Sequence, residues 1–108
     1  MHETQLINAC QKGDLRAVQF YKEKGSSITF SENALLDLAA MNGYFEIVEF
    51  LIKNGAKFQN LNFIKKYVQR NGYTEILEII VQQEKENKFF NKLKRKIKNI
   101  LDLKLTSD

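Results

Sequence analysis

The feature that most constrains the fold is a pair of glycines that recurs after 30 residues. Gly13 and Gly25 bracket the segment GDLRAVQFYKEKG, and Gly43 and Gly55 bracket GYFEIVEFLIKNG at the same internal spacing. Another 29 residues along, NGYTEILEII repeats NGYFEIVEFL at six positions. A period near 30 residues indicates a solenoid of stacked repeats.

Each repeat is predicted to be a pair of helices. In the second copy, Leu35, Leu38 and Ala39 have the i, i+3, i+4 spacing that places side chains on one helical face. Gly43 is expected to end that helix, because glycine adopts the left-handed conformation without steric cost. The following segment carries a second apolar stripe and is expected to end at Gly55. Such a pair cannot bury its apolar face alone, so it stacks on its neighbours.

Asparagine residues stand where the first helices of the second and third repeats are expected to begin. Asn33 and Asn62 lie 29 residues apart, each directly before an apolar pair. Asparagine is a favoured N-cap, because its side-chain oxygen accepts a backbone N–H that has no partner in the helix. We interpret both residues as helix caps, with Ser31 as an alternative cap in the second repeat. The competing interpretation is a polar binding position at the edge of the array.

The segment LAAMNGYFEIVEFLIKNGA resembles the ankyrin repeat, in which Leu-Ala-Ala precedes a turn glycine and Gly-Ala follows the second helix. The Thr-Pro-Leu-His start of the family is replaced by Ala-Leu-Leu-Asp at residues 34–37, and the chain has no proline. A period of 30 rather than about 33 residues implies that the hairpins between repeats are trimmed to tight loops. Short repeats of this kind resemble the ankyrin arrays of giant DNA viruses and some amoebal proteins.

The resemblance implies an all-α fold, an ankyrin-like helical-hairpin solenoid with trimmed hairpin loops. We expect the chain to have two parts. Residues 1–84 are the repeat array, and residues 85–108 are a basic amphipathic C-terminal helix. Within the array, the repeats are expected at about residues 3–30, 31–60 and 61–84.

The positive charge of the chain is concentrated in this C-terminal tail. Residues 85–108 contain eight Lys or Arg and three acidic residues, whereas the first 84 residues contain nine basic and ten acidic ones. Phe90, Leu93 and Ile97 recur at three- and four-residue steps, which predicts an amphipathic helix. The basic residues expected to form its polar side are Lys88, Lys92, Lys94, Arg95, Lys96 and Lys98.

Several roles are open for the tail. Its apolar stripe could fold back over the open end of the third repeat and cap it, with the lysines solvated. The lysine cluster could instead bind a polyanion such as RNA or DNA, or an acidic protein. An anionic membrane surface or the groove of a calmodulin-like partner fits the same pattern. The stripe could also form a homodimer.

No residue pattern indicates an enzyme, a cofactor or a metal site. The sole histidine, His2, lies at the N-terminus, and the single cysteine, Cys10, aligns with the small residue Ala40 and is interpreted as a core position. Carboxylate pairs at residues 46/49 and 75/78 recur at one repeat position and are interpreted as a solvated helix face. The glycines occur singly, so no phosphate-binding loop is predicted.

The expected location is intracellular and cytoplasmic, or the host cytoplasm if the protein is viral. No apolar run approaches the roughly 18 residues that span a bilayer. The N-terminus has no secretory pattern. A single cysteine fits a reducing compartment.

The ankyrin resemblance implies a non-catalytic module or adaptor that binds another protein. In the family, partners contact the loops between repeats and the outward face of each first helix. Carried over to this sequence, the expected partner-binding residues are Gln11, Lys12, Asn33, Met41, Asn42, Asn62, Arg70 and Asn71. Met41 stands out, because an unbranched apolar side chain among polar neighbours suits an adaptable contact. The alternative function is a nucleic-acid- or anionic-membrane-associated protein that uses the basic C-terminal helix.

Overall fold

The computed structural model describes the backbone of residues 3–24 and 29–106 and the side chains of residues 4–24 and 33–104. The described residues form six helices and no strand: α1 (Glu3–Lys12), α2 (Leu15–Glu23), α3 (Thr29–Met41), α4 (Phe45–Lys53), α5 (Leu61–Arg70) and α6 (Thr74–Thr106). They pair as three hairpins, and each hairpin packs against the next. The expected all-α solenoid is therefore confirmed. His2 and Gly25 lie outside the described residues.

Each described hairpin turns at a glycine that ends its first helix. The three glycines, Gly13, Gly43 and Gly72, have φ angles of 76°, 79° and 73°. The amide of the following residue donates to a carbonyl five residues earlier, at 2.9 Å in the first turn, 3.0 Å in the second and 2.9 Å in the third. This Schellman arrangement satisfies the carbonyls that a helix end leaves without partners. The prediction that Gly43 ends a helix is confirmed.

Tyrosine rings pack each repeat against the turn of the repeat before it. A Cβ at Gly13 would lie 2.6 Å from Cε1 of Tyr44, and a Cβ at Gly43 would lie 2.8 Å from Cε1 of Tyr73. The Tyr44 hydroxyl also donates to the backbone oxygen of Gln11 at 3.1 Å. Glycine is therefore required at these turns for two reasons: the left-handed backbone, and the space that the next tyrosine ring occupies.

The core lies between the first helices and the second helices of the hairpins. Four small side chains of α1 and α3 are buried in this core: Ala9, Cys10, Ala39 and Ala40. Cys10 is one of them and is fully buried, so the interpretation of this cysteine as a core residue is confirmed. The largest buried side chains of the second helices are Val18, Ile47, Val48, Leu51, Ile76 and Ile80.

The first helices of the second and third repeats begin earlier than the asparagine pattern predicts. Helix α3 begins at Thr29, so Asn33 and Ser31 both lie inside it. Helix α5 begins at Leu61, and its N-cap position is Asn60 rather than Asn62. The prediction that Asn33 and Asn62 cap these helices is wrong, because several neighbouring polar residues can start a helix equally well.

Helix α6 has 33 residues and spans about 50 Å. Glu84 stands where a stop glycine would recur, and its Oε1 lies 2.9 Å from Nζ of Lys65 on α5. This ion pair holds α6 against α5 while the helix continues. The boundary expected between residues 84 and 85 therefore lies inside one helix.

The tail does not fold back over the third repeat. Helix α6 continues without a break to Thr106, and every residue from 85 to 104 is exposed. The interpretation of the apolar stripe as a cap on the third repeat is therefore corrected. No glycine or proline follows Gly72, so the sequence supplies no helix breaker at which the chain would turn back.

Replacing Gly13 by Ala should cost more stability than replacing Gly72 by Ala. Both positions have the left-handed backbone, which costs an alanine about 1–2 kcal/mol. At Gly13 the new Cβ would also overlap the Tyr44 ring, whereas nothing lies within 4 Å of a Cβ at Gly72. Urea unfolding followed by circular dichroism measures both changes in the free energy of unfolding.

Tyr44→Ala provides the control for this comparison. In that background the two glycine substitutions should cost about the same, because the ring that Gly13 accommodates has been removed. Equal costs in the wild-type background would instead mean that the ring moves aside freely and does not determine how the repeats stack.

Candidate functional site

The turns of the three repeats lie side by side and form one edge of the array. This alignment follows from the packing of Tyr44 and Tyr73, since each ring contacts the turn before it. The two residues before each turn glycine are thereby placed next to each other along this edge. We call these six residues the turn row: Gln11, Lys12, Met41, Asn42, Arg70 and Asn71.

Met41 is the one turn-row residue that is not fully exposed. It is half-buried and packs against the core, whereas the other five are exposed. Part of the Met41 side chain therefore fills the core, and only the remainder is accessible to a partner. A charged substitution at Met41 is expected to lower stability as well as alter the surface, because it would place a charge against apolar side chains.

Asn42 and Asn71 have a structural role at the ends of their helices. Nδ2 of Asn42 donates to the backbone oxygen of Leu38 at 2.9 Å, and Nδ2 of Asn71 donates to that of Tyr67 at 2.8 Å. Each carbonyl also accepts the backbone N–H of the same asparagine, so the side chain adds a second hydrogen bond at the end of α3 and of α5. Helix termination therefore explains why asparagine recurs here.

Asn33 and Asn62 do not belong to the turn row. Each lies eight residues before the last residue of its helix, about 12 Å away along the helix axis. Oδ1 of Asn33 accepts a hydrogen bond from the backbone N of Lys57 at 2.8 Å, which holds the loop that follows α4. Asn62 is exposed on α5. The residues expected to bind a partner thus divide into two groups toward opposite ends of the first helices.

Asp37, one turn after Asn33 on α3, anchors the same loop. Its Oδ1 accepts from the backbone N of Gln59 at 3.3 Å, and Asn60 donates further hydrogen bonds from its backbone and side chain. Burial of the carboxylate raises the pKa of Asp37, although these hydrogen bonds act in the opposite direction. In the sequence, Asp37 is part of the Ala-Leu-Leu-Asp segment that departs from the ankyrin start. Its i, i+4 spacing from Asn33 is the signal that indicates a shared role.

The described residues do not assemble a reactive group. Burial raises the pKa of the Cys10 thiol to about 11, so the thiol is protonated at neutral pH and is a poor nucleophile. Within the described part of the chain, no three His, Cys, Asp or Glu side chains come close enough together to hold a metal ion. None of the described helices is both long and apolar enough to span a bilayer.

The predicted basic residues of the tail all lie in the exposed part of α6, residues 85–104. Seven large apolar side chains are exposed in the same part, and five of them recur at three- and four-residue steps. We call these five residues the tail stripe: Phe90, Leu93, Ile97, Ile100 and Leu101. The basic residues Lys88, Lys92, Arg95 and Lys96 lie together on one surface of the same helix.

The fold and the turn row define a class of protein, the helical-hairpin solenoid with an edge of varied side chains. A family model described as ankyrin repeats (3 copies) matches residues 6–92. The chain therefore belongs to the ankyrin repeat family, and the resemblance seen in the sequence is confirmed. Comparisons with curated proteins and with solved structures found no match. Ankyrin repeats are in general protein–protein interaction modules and are typically non-catalytic.

Asp37→Asn should change how stability depends on pH. Because the folded protein raises the pKa of Asp37, it binds this proton more tightly than the unfolded chain does. The contribution of Asp37 to the free energy of unfolding therefore falls as the pH rises from 3.8 through the raised pKa. The asparagine variant lacks this decrease, so its free energy of unfolding should increase relative to that of the wild type as the pH rises above about 4. Urea unfolding at a series of pH values measures the difference.

Asp37→Ala is the matched control, because it removes the same charge and also leaves the amides of Gln59 and Asn60 without their acceptor. Its stability should show the same pH trend as that of Asp37→Asn, displaced downward by about 1–3 kcal/mol. If the free energies of unfolding of both variants changed with pH in parallel with that of the wild type, this result would contradict a raised pKa of Asp37.

Proposed function

We propose that this ankyrin repeat protein is a non-catalytic adaptor that binds another protein through the turn row and the adjoining surface of the first helices. The observation that carries the proposal is the alignment of the three turns through Tyr44 and Tyr73. A partner that lies along this edge contacts all three repeats at once. Extended surfaces of this kind are how repeat proteins generally bind their partners.

The side chains of the turn row indicate the chemistry of the partner. Lys12 and Arg70 provide exposed positive charges in the first and third repeats, and the row contains no acidic residue. Met41, between them, provides a partly accessible apolar group. We infer a partner with acidic side chains on either side of a small apolar contact. Complementary charge of this kind steers association and fixes the register of the complex.

The turn row is organised before a partner binds. The side-chain amides of Asn42 and Asn71 are held by hydrogen bonds to the helix ends, and the Tyr44 hydroxyl is bonded to the backbone of Gln11. Groups that are already ordered lose less conformational entropy on association. This supports binding of a folded protein surface by a preformed edge.

The proposed role is non-catalytic and intracellular. The turn row has no His, Cys, Asp or Glu that could act as a general acid, a general base or a nucleophile. Cys10 is a single free cysteine, which fits a compartment where thiols stay reduced.

Photo-crosslinking tests this assignment directly. A photoreactive amino acid at Lys12 or at Arg70 should capture the partner in cells that express the protein, because both positions lie in the turn row. Glu46 and Glu49, exposed on the second helix of the middle repeat, are the matched control positions and should capture much less. Equal capture from all four positions would exclude the turn row as the interface.

The double substitution Lys12→Ala/Arg70→Ala should weaken binding to the captured partner by about ten-fold, since each exposed charge pair contributes up to about 1 kcal/mol. Its thermal unfolding midpoint should stay close to that of the wild type, because both side chains are exposed. Biolayer interferometry measures the affinity. Unchanged affinity would place the interface elsewhere.

A further inference from the structure

We propose that the C-terminal half of α6 binds the surface of an anionic lipid bilayer and lies in the plane of the headgroups with the tail stripe turned inward. This role goes beyond the protein binding proposed for the turn row and depends on different residues. Two observations support it: the exposure of the stripe and the distribution of charge around it.

The tail stripe is an apolar surface that no described residue of this chain covers. On a helix with 3.6 residues per turn, its five side chains fall within an arc of about 100°. Each of them is between 40 % and 59 % exposed. A continuous apolar strip on a soluble protein marks a surface that another phase or molecule covers.

The charge around the stripe matches an anionic surface. Between residues 87 and 101 the chain has six basic residues and no acidic one. Helical spacing places Lys94 and Lys96 on the two sides of the stripe. From these positions a lysine extends its alkyl chain along the apolar layer and keeps its ammonium group among the headgroups. Each basic residue near such a surface strengthens binding by about five-fold.

A nucleic acid accounts for the charge but not for the stripe. Phosphate groups bind lysine and arginine through the release of counterions, and this interaction needs no apolar surface. Aromatic side chains can stack on unpaired bases, but the aliphatic residues Leu93, Ile97 and Ile100 cannot. A bilayer with anionic headgroups accounts for both faces of the helix.

The repeat array lies beside the beginning of the tail stripe. Phe90 and Lys94 line a groove of about 640 Å³ together with Phe58 of the loop after α4 and Leu61 at the start of α5. Because Phe90 belongs to the stripe and Lys94 flanks it, this groove lies on the same side of α6 as the beginning of the stripe. The same groove is lined by Lys57 of the repeat array and by Glu86 of α6, so these two charges offset each other there.

A second copy of the chain is a poorer occupant of the stripe. Two tails packed along their stripes would bring the flanking lysines of both helices close together. The repulsion between these like charges opposes such a dimer.

Vesicle sedimentation with the full chain tests the proposal. The probes are vesicles of phosphatidylcholine with about 30 % phosphatidylserine and vesicles of phosphatidylcholine alone. We expect binding to the anionic vesicles to be at least about ten-fold stronger than to the neutral ones, and to weaken when the salt concentration is raised. Equal binding to both compositions would overturn the proposal.

Two substitutions in the stripe test its role. Ile97→Gln/Ile100→Gln should weaken binding to the anionic vesicles by about ten-fold or more, because two side chains no longer enter the apolar layer. Ile7→Gln/Phe63→Gln is the matched control, since both of these residues are exposed on the repeat array, and its binding should equal that of the wild type.

Three substitutions on the basic side test the charge. Lys92→Gln/Arg95→Gln/Lys96→Gln should weaken binding by about one hundred-fold, at about five-fold for each residue. Arg16→Gln/Lys24→Gln/Lys66→Gln removes the same charge from exposed positions on the array and should stay within about three-fold of the wild type. Circular dichroism verifies that each variant is folded.

A single tryptophan reports where the stripe lies. The chain has no tryptophan, so Phe90→Trp introduces one probe. Its emission should shift to shorter wavelength when anionic vesicles are added and should not shift when RNA is added, because only the bilayer provides an apolar environment.

Two further results would overturn the proposal. One is that the stripe variant binds vesicles with the same affinity as the wild type, and that the wild type binds RNA tightly through the basic residues. This result would assign the tail to nucleic acid. A dimer in sedimentation that requires the stripe and does not bind vesicles would assign it to a second copy. Both results leave crosslinking at the turn row unaffected, so failure here is distinguishable from failure of the proposed adaptor function.

Discussion

The packing of a tyrosine ring on the glycine of the preceding turn is the contact on which the rest of the structure depends. It occurs twice, between Gly13 and Tyr44 and between Gly43 and Tyr73. Because the turn bears no side chain, the next ring can sit against the backbone. The same contact places the turns in line, and this alignment creates the turn row. A solenoid is stabilised by contacts between neighbouring repeats, so these two contacts shape the fold and the surface together.

The third repeat differs from the second both in the polar contacts of its first helix and in the loss of the stop glycine that would end α6. In the second repeat, Asp37 on α3 accepts hydrogen bonds from the loop that follows α4. Lys66 stands at the matching position of α5, and its neighbour Lys65 pairs with Glu84. In the second repeat, the carboxylate of Asp37 on the first helix thus binds backbone amides of a loop. In the third repeat, Lys65 on the first helix instead binds Glu84 on the second helix, which has lost its stop glycine. A change at a few positions converts a repeat into the base of a long helix.

Much of the fold could be predicted from sequence, because the repeat period and the turn glycines are local signals. The roles of Asn33 and Met41 could not. Asn33 bonds to Lys57, which is 24 residues away, and nothing near Asn33 in the sequence indicates that partner. Met41 has polar neighbours along the chain but packs against the core in space. The course of the tail could not be decided from sequence either, because a stripe with helical spacing is equally compatible with folding back and with continuing outward.

The continuity of α6 links the two surfaces of the molecule mechanically. Ile76 and Ile80, near its start, are buried in the core, while its last two-thirds carry the tail stripe on an exposed surface. No glycine or proline lies between these parts to act as a hinge. A tail that lies on a bilayer would therefore hold the repeat array in a defined orientation to it. A partner on the turn row would then be confined near that surface, which raises its effective concentration there without any new contact.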